Sequence, residues 1–140
     1  MKIRSSFVTN SSSSSFIIAF DKKPESAEEM KELLFGSQEY FFDPYYDGKY
    51  FNDRPEKYSA LEVATVVFND IKDQLPLSKK AIVSFVSDDG WYHPSDEDIK
   101  EFKDKLVFEV SYADDCGYLG CAMEHGDLFE RIPYRIQSNH

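Results

Sequence analysis

Apolar and polar positions alternate along this chain with two different periods, and the change of period marks its elements. Phe16-Ile17-Ile18-Ala19-Phe20 is an unbroken apolar run, which predicts a strand at 15–20 covered on both faces. The serine-rich stretch before it carries no apolar period and reads as a loop over 1–14. Ser26-Ala27-Glu28-Glu29 has the form of a capping box, in which the serine accepts from the Glu29 amide. It opens a helix at 25–35 with Met30, Leu33 and Leu34 on one face, and Gly36 can end that helix in a left-handed conformation.

Asp53, Pro55 and Glu56 make a second helix start. Tyr58, Leu61, Ala64, Phe68, Ile71 and Leu75 follow every three or four residues until Pro76, which predicts an amphipathic helix at 55–75 burying Leu61, Phe68 and Ile71. Ala81 to Val86 is apolar and rich in β-branched residues, the pattern of a buried strand at 81–87. Ser95 and Asp98 cap a third helix at 95–104. Alternation of Leu106, Phe108, Val110 and Tyr112 with Val107, Glu109 and Ser111 predicts a strand at 106–112, and Ile132, Tyr134 and Ile136 predict another at 132–138. Between them, Gly117 and Gly120 suggest a turn and Leu128-Phe129 a short helix. These elements specify an α+β chain: one domain over 1–140, with a mixed sheet of about four strands packed by three helices.

Composition narrows the class. At 140 residues, with 41% hydrophobic and 16% aromatic residues, the chain can fill the core of one domain. No apolar run approaches the roughly 18 residues of a membrane span. The start lacks the apolar stretch of a signal peptide, so a cytoplasmic, reducing setting is expected. Cys116 and Cys121 cannot make a disulfide scaffold and, as one C-x4-C pair with no second, are expected as buried reduced thiols ahead of a zinc or redox site.

The formal charge of −10 is placed unevenly. Residues 1–20 are basic, while 21–53 hold nine acids against four bases and 80–140 thirteen against six. No basic stripe is present, so direct nucleic-acid binding is disfavoured. Surplus acid fits a solubilising surface, and less readily a surface that imitates DNA toward a basic partner.

Two sets of residues are candidates for function. Seven aromatics crowd 37–53, namely Tyr40, Phe41, Phe42, Tyr45, Tyr46, Tyr50 and Phe51, broken by the turn formers Asp43-Pro44 and Asp47-Gly48. Tyrosine and phenylalanine provide large contact area at interfaces, so a non-enzymatic module that binds a protein partner through Tyr45 and Tyr46 is the first expectation. Equally, the rings can cap a small core. The second set is acidic. If the strands at 81–87 and 106–112 are parallel, Asp88-Asp89 and Asp114-Asp115 share one sheet edge, where α/β sheets hold ligands.

Clustered carboxylates there would call for a hard cation, Mg²⁺, Mn²⁺ or Ca²⁺, held by Asp88, Asp114, Asp115 and Glu124. With His125 as acid or base, the alternative expectation is a metal-dependent hydrolase of a phosphorylated substrate. Aspartates after strands are also ordinary loop residues, and His93 and His140 read as plain surface positions. The run Ser11 to Ser15 lacks the glycines and lysine of a nucleotide loop and stays open between linker, modification target and anion loop.

The string Phe7-Val8-Thr9-Asn10, five serines and Phe16 resembles the opening of a group of small uncharacterised proteins from bacteria and their phages. Ser111-Tyr112-Ala113-Asp114-Asp115-x-Gly117, Met123-Glu124-His125-Gly126-Asp127 and the closing Ser138-x-His140 resemble the tail of the same group. Related tails end in paired histidines where this chain has Asn139-His140. The resemblance implies a bacterial or phage origin and assigns no activity.

Overall fold

The computed structural model describes residues 13–46, 55–87, 100–113 and 117–139. The apolar run does form the central strand. β1 (Ser13–Phe20) lies between β4 (Leu106–Ala113) and β5 (Arg135–Asn139), antiparallel to both. Its alternation sends Phe16, Ile18 and Phe20 to one face and Ile17 and Ala19 to the other, and all five are buried. The chain is thus α+β, but among the described residues its main sheet is antiparallel rather than mixed, with three strands where about four were expected. A separate pair, β2 (Tyr40–Phe42) and β3 (Lys57–Ser59), forms a small second sheet.

The first face of the main sheet carries most of the core. α1 (Ala27–Phe35) starts on Ser26, whose hydroxyl accepts from the Glu29 amide, and stops at Gly36, which adopts φ 59°. Met30, Leu34 and Phe35 of α1 meet α2 (Ala60–Ile71). That helix is shorter than 55–75 and begins later, because Lys57–Ser59 pairs with β2 and Ser59 caps it through the Glu62 amide. Asp53, the cap expected from sequence, lies outside the described residues.

Its buried stripe is also rotated from the expected one. Ala60, Val63, Ala64, Val67 and Ile71 face inward, Phe68 is half-buried, and Leu61 is 39% and Leu75 86% exposed. Small and β-branched residues on the inner stripe allow α1 close approach, leaving the bulkier Leu61 at the rim.

The stretch expected as a strand at 81–87 is a helix, α3 (Lys79–Val86), capped by Ser78 through the Ala81 amide. Only Ile82 of α3 is fully buried; with Phe102 it covers Ile17, Ala19 and Val107 on the second face of the sheet. The β-branched residues thus sit on a half-exposed helix whose cap outweighs their strand preference. Of the helix expected at 95–104, residues 95–99 lie outside the described part and Lys100–Phe102 is a single 3₁₀ turn.

The glycine turn expected at 117–120 is instead the start of α4 (Gly117–His125), with Gly120 buried against neighbouring elements. Leu128-Phe129 is a buried turn, and the last strand starts at Arg135 rather than 132. Among the described residues, no helix is long and apolar enough to cross a membrane.

Candidate functional site

With 79–86 helical, no parallel strand pair among the described residues gathers the two acidic pairs on one edge. The metal site loses the topology from which it was argued. Asp88, Asp114 and Asp115 lie outside the described residues, as do Cys116, His93 and His140. Among the described residues, no three of His, Cys, Asp and Glu converge on a metal-sized position. Cys121 is half-buried on α4.

Glu124 and His125 close the last turn of α4, and here segments far apart in sequence meet. Glu124 is buried. One carboxylate oxygen accepts from the Ser14 hydroxyl of β1 at 3.2 Å, and the other lies 3.2 Å from His125 Nε2. Ser14 in turn accepts from Gln137 Nε2 of β5 at 3.2 Å. The imidazole stands edge-on to the Tyr45 ring, with centroids 5.4 Å apart at 83°. Four residues singled out from sequence, the serine run's Ser14 with Tyr45, Glu124 and His125, are therefore neighbours.

The order within this cluster determines what it can do. A nucleophilic serine needs an imidazole to take its proton and a carboxylate behind the imidazole. Here the carboxylate stands between serine and imidazole, and the hydroxyl both donates to Glu124 and accepts from Gln137. This network, buried at Ser14 and Glu124 and exposed at Gln137 and His125, ties β1, α4 and β5 together and positions the imidazole against which Tyr45 rests.

Tyr45 belongs to the turn after β2, which is held from several sides. Asp43 is buried; its Oδ1 accepts from the Tyr45 amide at 2.8 Å and its Oδ2 from the Tyr58 hydroxyl at 3.4 Å. The Tyr46 amide donates to the Asp43 carbonyl at 3.3 Å. The side-chain bond makes this an Asx turn, a local closure that aspartate favours. Beneath it, Phe41 is buried against Phe35, centroids 5.9 Å apart.

Strand alternation then turns Tyr40 and Phe42 outward, and Phe42 is 54% exposed. Lys57 of β3 lies across them, its Nζ 4.1 Å from the Tyr40 centroid and 5.9 Å from that of Phe42. Tyr45 and Tyr46 are exposed as well. Four exposed rings thus stand within seven residues. Tyr40 and Phe42 belong to the seven aromatics noted from sequence but were not expected as contact residues, although the triplet Tyr40-Phe41-Phe42 carries the signal: in a strand, its first and third rings share the face opposite the second.

Away from this face, a groove of about 440 Å³ runs between the end of β1, α1 and the approach to β5. Its cations are accompanied by acids, with Lys105 bonded to Asp21, and none of the candidate residues lines it. No protein-family model, curated protein or solved structure matches the chain.

Proposed function

We propose that this chain is a non-enzymatic protein-binding module of the bacterial or phage cytoplasm, with Tyr40, Phe42, Tyr45 and Tyr46 as its contact face. The observation that carries the reading is the fixed backbone under exposed rings. Asp43 pins the turn, Phe41 anchors the strand from below and His125 braces Tyr45. Rings held this way lose little freedom on binding and offer large amphipathic area. The acidity of the chain, −10 overall, favours a basic partner. The metal-dependent hydrolase reading has weaker support, since 79–86 is a helix and the strand pair that would have gathered its carboxylates on one edge is not formed.

The test is photo-crosslinking from position 46 in a bacterial lysate, alongside capture by wild type and by the Tyr45→Ala/Tyr46→Ala double variant. Expected is one crosslinked basic protein whose capture the double variant loses while its far-ultraviolet spectrum stays native. A partner retained equally by both proteins would count against this face as the interface.

A further inference from the structure

Lys57 offers more than neutral packing. Its register partner across the two-stranded sheet is Phe42, yet its ammonium reaches diagonally to 4.1 Å from the Tyr40 centroid. That is within the range in which a cation is drawn to the electron-rich face of a ring. Phe42, 5.9 Å from the same nitrogen, is a second ring within reach. The two rings project from one strand face, are exposed, and both lie within about 6 Å of a charge supplied by the neighbouring strand. Charged residues in 39–43 and 56–59 are Glu39, Asp43, Glu56 and Lys57, so Lys57 is the one base among three acids.

We propose that Tyr40 and Phe42 form a seat for an arginine side chain of a basic protein segment, which Lys57 fills as an internal surrogate until the partner arrives. The proposal rests on the protein-binding reading above and adds the chemistry of its contact. Arginine is the fitting occupant because its planar guanidinium stacks on aromatic faces and is less strongly hydrated than an ammonium. The displaced Lys57 returns to water at small cost, since its charge already lies at the surface. The surrounding acids favour exchanging one cation for another over leaving the seat empty.

The probe is a hexa-arginine peptide titrated into the whole chain at moderate salt, read from the ring-proton shifts of Tyr40 and Phe42, with hexa-glutamate as control. Lys57→Ala removes the surrogate, and Lys80→Ala, on exposed α3, removes the same charge elsewhere. Expected is an affinity about two- to fivefold tighter for Lys57→Ala than for wild type, the equivalent of one exposed cation–π contact. Lys80→Ala gives a smaller gain, and adding Tyr40→Ala to Lys57→Ala abolishes the difference. Equal gains from Lys57→Ala and Lys80→Ala would overturn the seat in favour of bulk charge, as would a gain that survives Tyr40→Ala. A failed titration alongside capture that still depends on Tyr45 and Tyr46 overturns the seat alone. Successful titration without such capture overturns the module reading and leaves the seat standing.

Discussion

Gln74 and Glu109 bond to each other as residues of adjacent strands do. The Gln74 carboxamide donates to the Glu109 carbonyl at 2.8 Å and accepts from the Glu109 amide at 3.4 Å. Two residues along the edge, the Leu77 amide donates to the Val107 carbonyl at 2.8 Å. The segment after α2 therefore covers part of the outer edge of β4, a row of backbone groups that would otherwise invite a further strand.

Gln74→Ala should expose that edge. The expected loss is about 1–2 kcal/mol in urea denaturation, the value of a few partly buried hydrogen bonds. Sedimentation should show stronger concentration-dependent self-association than for wild type. A variant of unchanged stability that sediments like wild type would remove the edge-covering role.

The buried Tyr112 hydroxyl donates to Asp70 at 3.1 Å, tying the end of α2 to β4. Burial, then the Asp70 charge and hydrogen bond, hold the phenol well above its ordinary value of 10.0. The folded state keeps this proton when the unfolded chain loses it. Stability from Tyr112 is therefore complete below about pH 10 and lost as pH rises beyond it. Tyr112→Phe should flatten that alkaline decline in urea titrations at pH 9 and pH 11.

Asp70 moves in the same direction for a related reason. Desolvation raises its carboxyl above 3.8, against the lowering effect of the Tyr112 hydroxyl. Its contribution is full below 3.8 and lost as pH rises through the raised folded value. Asp70→Asn should reduce the loss of stability over that acidic window, measured against wild type.

Gly126 leaves no room for a side chain. A Cβ there would stand 2.6 Å from the Ala122 carbonyl oxygen and 2.6 Å from Phe41 Cζ. Gly126→Ala should cost about 1–3 kcal/mol as an overpacked site. It should also shift the ring resonances of Tyr40 and Phe42, because Phe41 anchors their strand. A stable variant with unmoved ring signals would show that Phe41 yields without disturbing that face.

The orientation of α2 makes a sharper test than the amphipathic pattern alone. Ile71→Ala should cost about 2–5 kcal/mol as a buried truncation. Leu61→Ser should cost under about 1 kcal/mol, as for an exposed site. Phe68→Ala should fall below the 3–5 kcal/mol or so of a fully buried phenylalanine. A Leu61→Ser loss matching that of Ile71→Ala would restore the stripe expected from sequence.

How far the pattern could be read depended on whether one signal stood alone. Phe16 to Phe20 and Leu106 to Tyr112 were legible as strands because burial on two faces or one leaves a distinct period. Ser26 and Gly36 marked both ends of α1. At 79–86 the signals competed: β-branched residues favoured a strand while Ser78 offered a helix cap three residues before Ala81, and the cap prevailed. On α2, two overlapping stripes have helical spacing, and packing against α1 selects between them.

The candidate cluster was legible one residue at a time. Glu124, His125, Tyr45 and the serine run each stood out, yet their meeting depends on α4 being a helix and on β1 lying beside β5. Two glycines at 117 and 120 concealed the first. No local pattern announces the second.

The central place of β1 has a kinetic consequence. Ser15 and Ser111, whose hydroxyls are hydrogen-bonded, are 96 residues apart in sequence, and Gln137 and Ser14 are 123 apart. The strand that leaves a ribosome first among these elements is the one whose two neighbours leave late. While α1 and α2 can collapse on each other early, β1 must wait, its Phe16 to Phe20 run apolar and unpaired on both edges. Such distant pairing places the chain among slow folders, and its most aggregation-prone segment is exposed for the longest part of synthesis.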